Sequence, residues 1–118
     1  MMNRTDKGVG PDFPRRGEMY RAFAHGKEGR PVIIISPNGR NEFAHDVLVI
    51  PLSTRHRPSP THVKLPRRQT GLPFDSTAKC EYISPVNKRE LRDRIGHRIP
   101  TELLQEIERG VMRAIGIP

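Results

Sequence analysis

Two unbroken apolar runs limit the possible folds more than anything else in the chain. Val32–Ile35, inside PVIIIS, and Val47–Ile50, inside VLVIP, are rich in β-branched residues and carry no polar alternation. Short runs of this kind read as strands buried on both faces. They fall within 20 residues of each other, with Asn38–Asn41 (NGRN) read as a turn and no helical segment between them. A parallel pair needs a crossover of roughly a dozen residues or more, so the two runs are expected to pair antiparallel.

Around this pair, strands are expected over Met19–Ala24, Thr61–Leu65, Ser76–Ile83 and Arg94–Ile99, with Val86–Arg92 as a tight turn or single helical turn. Only Thr101–Ile115 has convincing helical periodicity, from Leu104, Ile107, Val111 and Ile115. Glu102 and Arg113 suit the two ends of its dipole, whereas Gly110 weakens it by up to about 1 kcal/mol relative to alanine. A chain of 118 residues has room for one domain. We expect a loose tail over residues 1–12 and, over 13–118, a mainly β domain: a small antiparallel barrel packed against its C-terminal helix.

Charge narrows the choice of partner. Against 13 acids stand 21 bases, 16 of them arginine, for a net charge of +8. Arginine's planar fork suits phosphate, and a strongly basic small domain points to nucleic acid; a solvated basic surface is the plainer alternative. Ser53–Thr70 holds Arg55, Arg57, Lys64, Arg67 and Arg68 and no acid. No apolar run approaches the roughly 20 residues of a membrane span, and the N-terminus lacks the apolar stretch of a secretory signal. With Cys80 alone, no internal disulfide is possible and the cytoplasm is the expected compartment. The five histidines are scattered, so neither a metal nor another cofactor is expected. Cys80 reads as a buried structural thiol.

The most informative spacing joins Arg30 to Ser53. Arg30 directly precedes the first apolar run, and Ser53 and Thr54 follow the second. In an antiparallel pair the start of one strand lies beside the end of the other, so the guanidinium and the hydroxyl reach one cleft. There Arg30 offers paired hydrogen bonds to a phosphate. A strand-edge arginine and a turn-forming Ser-Thr pair are the bland readings. Arg55, His56 and Arg57 follow at once, leading a phosphate chain onto the basic loop. Few aromatics are available for base stacking: Phe23, Phe43, Phe74 and Tyr82 read at least as well as core or rim, which argues against a single-strand binder dominated by stacking.

In order, RRGEMY, GRPVIIIS, VLVIPLST, PTHVKL, TGLPFDSTAKCEYI and RIGHRIPTELLQEIERGVMRAIG resemble the MazF/PemK family of toxin endoribonucleases, from about Arg15 to Gly116. The resemblance implies an SH3-like barrel of CcdB/PemK type, a homodimer, and metal-independent cutting of single-stranded RNA at short motifs. It also implies neutralisation by a small cognate antitoxin, for which charge complementarity suggests an acidic segment. Carried onto this chain, the family's catalytic arginine and threonine become Arg30 and Ser53, serine keeping the hydroxyl and losing the methyl. Thr54, Arg55, Arg57 and His25 are the expected RNA contacts. Tyr20 stands where tryptophan is common, and Glu28 is not assigned the acidic role often found before the arginine. Two other readings compete: a basic barrel that binds nucleic acid without cutting it, and a CcdB-like gyrase poison. The second is disfavoured by the C-terminal Ile-Gly-Ile-Pro, which lacks the tryptophan that relative uses.

Overall fold

The computed structural model describes residues 12–24 and 28–118. The expected tail at 1–12 therefore falls, save for Asp12, outside the described residues, as does His25. The two apolar runs form strands β2 (Arg30–Ile34) and β3 (Asp46–Ser53), paired antiparallel with Val32 opposite Pro51 and Ile34 opposite Val49.

Their connection is not the simple turn read from Asn38–Asn41 but a six-residue helix, α1 (Asn38–Phe43). A buried polar network accounts for it. Asn41, fully buried, donates from Nδ2 to the Ser36 carbonyl at 2.9 Å. Ser36 Oγ donates to Asn41 Oδ1 and accepts the Leu48 amide at 2.9 Å. Asn-Gly reads locally as a turn, and the burial that makes it helical is a tertiary effect.

β3 is the organising strand because it serves two ladders. Along one edge it pairs β2; along the other, its first half pairs β6 (Ser84–Asn87) and its last two residues pair β5 (Ser76–Lys79). β5 continues to β4 (His62–Leu65), and β2 continues through β1 (Met19–Ala22) to β7 (Leu91–Ile95), all antiparallel. Three boundaries differ from the sequence reading. β6 takes in Val86 and Asn87, read as the start of a turn; it pairs with β3 alone, as an edge strand carrying Pro85 can. β7 begins at Leu91 rather than Arg94, and a bulge inserts Asp93, with φ +43°, between Arg92 and Arg94. The strand expected through Ile83 stops at Lys79, where Cys80–Tyr82 tightens into a 3₁₀ turn.

The C-terminal helix, here α3 (Thr101–Ala114), forms as expected, with its inward face turned from the expected stripe toward Leu103 and Gly110 while Ile107 stays at its centre. Leu103, Ile107 and Gly110 are buried, Leu104 and Val111 flank them, and Ile115 is 63% exposed. The cause is Gly110. A Cβ there would lie 2.7 Å from Cys80 Sγ, so only glycine lets the helix seat on the 3₁₀ turn. Ile33, Ile50, Leu65 and Ile107 centre the core on the helix side, while Val32, Ile34, Val47 and Val49 form a second cluster on the other face. Two covered faces explain the unbroken apolar runs.

Candidate active site

Arg30 opens β2 and Ser53 closes β3. Continuing the observed register by two residues sets them opposite each other across the ladder. By alternation both belong to the face that carries Val32, away from α3. Arg30 pairs with Ala22 of β1, which holds its backbone on that edge, while the β2–β3 ladder begins at Val32. Gly29 has a packing role: a Cβ at that position would lie 2.4 Å from the Phe23 ring. The guanidinium is exposed and has no partner among the described residues.

A cleft of about 640 Å³ opens at this pair, with Arg30, Ser53, Thr54, Arg55, Lys79 and Tyr82 among its lining residues. Three cations and no carboxylate line it, so its field attracts an anion. Ser53 Oγ accepts the Arg55 amide at 3.0 Å, a turn contact that leaves its proton free to donate. The turn reading of Ser53 and the phosphate reading are thus both available to one hydroxyl.

The basic loop after Ser53 is tied down at several points. His56 Nδ1 lies 2.6 Å from Oγ1 of buried Thr77, which pairs with Ser53 in the β3–β5 ladder. His62 lies 3.0 Å from the Arg57 carbonyl through Nδ1 and 3.0 Å from Glu81 through Nε2. Both partners are acceptors, so both contacts are hydrogen bonds only when the ring carries two protons. Thr61 Oγ1 donates to the same carboxylate at 2.7 Å. Burial would raise the Glu81 carboxyl, but the bonds from Thr61, the backbone and His62 outweigh it and hold the group below its ordinary range.

The structure brings together four of the six expected site residues: Arg30, Ser53, Thr54 and Arg55. Arg57 does not line this cleft. It borders a separate hollow of about 420 Å³ with His56 and Lys64. His25 lies outside the described residues. The sequence reading missed Lys79 and Tyr82, because only the β3–β5 pairing carries them to the cleft. Of the core and rim readings of Phe74 and Tyr82, their exposure of 66% and 59% leaves the rim. Arg67 and Arg68, expected in a loop, sit on a one-turn helix, α2 (Arg67–Thr70), and are exposed.

Cys80 is fully buried, and burial, aided by Glu81, pushes its thiol up to about 11. That suits a packing residue and not a nucleophile. Among the described residues no group of three His, Cys, Asp or Glu side chains is placed to hold a metal, and no helix is long and apolar enough to cross a membrane.

Residues 15–115 match the family described as the PemK-like, MazF-like toxin of type II toxin-antitoxin systems. Two curated relatives, endoribonuclease MazF1 of Mycobacterium bovis and endoribonuclease MazF4 of Mycobacterium tuberculosis, are each 30% identical over 105 residues. The match covers 89% of this chain and 95% of each relative. Among solved structures, a mycobacterial endoribonuclease in complex with its cognate antitoxin is 30% identical. It superposes with a TM-score of 0.77 over 89% of this chain and 97% of its own. A MazE–MazF structure from Deinococcus radiodurans, at 18% identity and a TM-score of 0.76 over 92% of this chain and 100% of its own, shares the fold. The curved sheet with its C-terminal helix is thus the CcdB/PemK-like barrel, and the chain belongs to the PemK-like, MazF-like family of type II toxins.

Proposed function

We propose that the protein is an endoribonuclease toxin that cuts single-stranded RNA without a metal ion. The observation that carries the reading is the meeting of Arg30 with Ser53 in a cleft lined by cations and free of carboxylates. In the reaction, the RNA 2′-oxygen attacks the adjacent phosphorus and the bond to the 5′-oxygen breaks. The products are a 2′,3′-cyclic phosphate and a 5′-hydroxyl end. Arg30, unpartnered at the mouth of a rigid strand, stabilises charge on the phosphorane; arginine, with a pKa above about 12, is unsuited to taking the 2′ proton. Ser53 donates its hydroxyl proton to a non-bridging oxygen while the Arg55 amide fixes the orientation of that hydroxyl. Thr54 and Arg55 hold the neighbouring backbone, Arg57 extends the basic track, and His25, five residues before Arg30 in the sequence, is a further RNA contact. Uncut, tightly bound RNA would favour the non-cutting barrel instead.

The toxin acts in the cytoplasm as a homodimer and is neutralised by a cognate antitoxin whose acidic segment competes with RNA for the same cations. A solved mycobacterial endoribonuclease in complex with its cognate antitoxin, 30% identical to this chain, supports the antitoxin partner. The deciding experiment compares wild type with Arg30→Ala on single-stranded RNA, with and without EDTA, mapping the cut ends. Loss of a transition-state donor costs about 100-fold or more. We expect that loss in the variant, no effect of EDTA on the wild type, and cyclic-phosphate ends. Full activity in Arg30→Ala, or abolition by EDTA, overturns the mechanism.

A further inference from the structure

Beside the phosphate cleft lies a second feature that the mechanism leaves unused. Phe74 is 66% exposed, in a chain with only six aromatic residues. It lines two hollows, of about 350 and 420 Å³, and both reach Thr54 of the phosphate cleft. The smaller is bounded by Thr54, His56, Phe74 and Asp75. Its walls are held in place. His56 is held through Thr77, as described above. Asp75 Oδ1 accepts the Arg67 amide at 2.9 Å, tying the loop to the start of α2.

We infer that this hollow is a nucleobase site that sets the sequence preference of the cut. The inference rests on the proposed ribonuclease reading and adds the base-reading residues to it. The two side chains point to a base and against the backbone. An exposed carboxylate repels phosphate, so Asp75 makes the hollow unfit for the RNA backbone that the neighbouring cations attract. An exposed ring beside a phosphate site is a stacking platform for any base. Oδ2 of Asp75 has no partner among the described residues. A carboxylate oxygen can only accept, so it selects a base edge that presents an N–H, amino or ring imino, over one that presents only acceptors. Phe74 supplies affinity and Asp75 supplies discrimination.

The test uses wild type, Phe74→Ala, Phe74→Trp and Asp75→Asn on an RNA pool randomised around the cut, with equilibrium binding of the same fluorescent RNA. Loss of one base stack corresponds to about a 5- to 150-fold fall in affinity. Phe74→Ala is expected to fall in that range in both kcat/KM and binding, with an unchanged melting temperature because the ring is exposed. Phe74→Trp is expected to keep both. Asp75→Asn keeps an oxygen for the Arg67 amide but turns the other atom into a donor. It is expected to change the base preference at one position beside the cut, away from edges that present an N–H and toward edges that present an acceptor. Unchanged binding in Phe74→Ala, or an unchanged base profile in Asp75→Asn, overturns the assignment. So does intact RNA binding with lost antitoxin affinity, which would give the hollow to the protein partner. If the wild type leaves RNA uncut, the proposed reaction fails, and the binding series still decides the hollow: weakening by Phe74→Ala alone supports it and no weakening rejects it.

Discussion

Gly110→Ala sets two effects of known size against each other. In an exposed helix the exchange stabilises by up to about 1 kcal/mol, because alanine restricts the unfolded chain and forms helix well. Here the new methyl would lie 2.7 Å from Cys80 Sγ, 3.2 Å from Cys80 Cβ and 3.4 Å from Val63 Cγ2. Cys80 is fully buried in its 3₁₀ turn, so the sulfur has nowhere open to go. Overpacking of this sort costs about 1–3 kcal/mol. The steric term wins, for a net loss of about 1–2 kcal/mol. In a domain of 118 residues that lowers the melting temperature by roughly 3–10 °C. Calorimetry at one fixed protein concentration reads it, since self-association would otherwise shift the midpoint. Repeating the exchange in a Cys80→Ala background removes the closest contact, and there Gly110→Ala should be neutral or stabilising. A melting temperature that rises in the wild-type background, or no coupling between the two sites, would refute the seating of α3 on the 3₁₀ turn.

Further outcomes follow from the site and the core. Ser53→Ala should slow cleavage by about 10-fold, less than loss of a full oxyanion donor, because Thr54 lines the same cleft. Ser53→Thr should keep the rate, and an unchanged rate in Ser53→Ala would leave Ser53 as a turn residue only. Neutralising Arg55 and Arg57 together should reduce the slope of log affinity against log salt by about 1.4, at roughly 0.7 per single-strand phosphate contact; filter binding across a salt series measures it. The Cys80 thiol is raised in the fold from 9.0 to about 11, so the folded state favours the protonated form. Its contribution to stability is complete below pH 9 and is lost as pH rises through 11, a decline that denaturant titrations should find reduced in Cys80→Ala. At pH 8 the native thiol should resist alkylation and the denatured one should react.

The meeting of Arg30 with Ser53 was legible in the sequence for a simple reason. Antiparallel pairing of two unbroken apolar runs is a local inference, and once it is made, the residue before one run meets the residue after the other. Arg30 and Ser53 needed nothing more. Lys79 and Tyr82 needed the knowledge that β5, and not another strand, takes the last two residues of β3. Nothing in Ser76–Lys79 announces its neighbour, because edge choice depends on which loops close without crossing.

Elsewhere the chain determined element type and left placement to packing. Periodicity alone was enough to make residues 101–114 a helix, and composition alone made the surface basic. Which face of that helix turned inward was decided by a glycine meeting a cysteine thirty residues earlier in the chain. Asn38–Phe43 became helical because Asn41 and Ser36 satisfy each other out of water. Phe74 and Asp75 came to stand beside the cleft at Arg30 and Ser53 in a loop before β5 that is anchored to α2. In each case the deciding contact joins residues whose partnership carries no local signature, since hydrogen bonding and close packing act between neighbours in space.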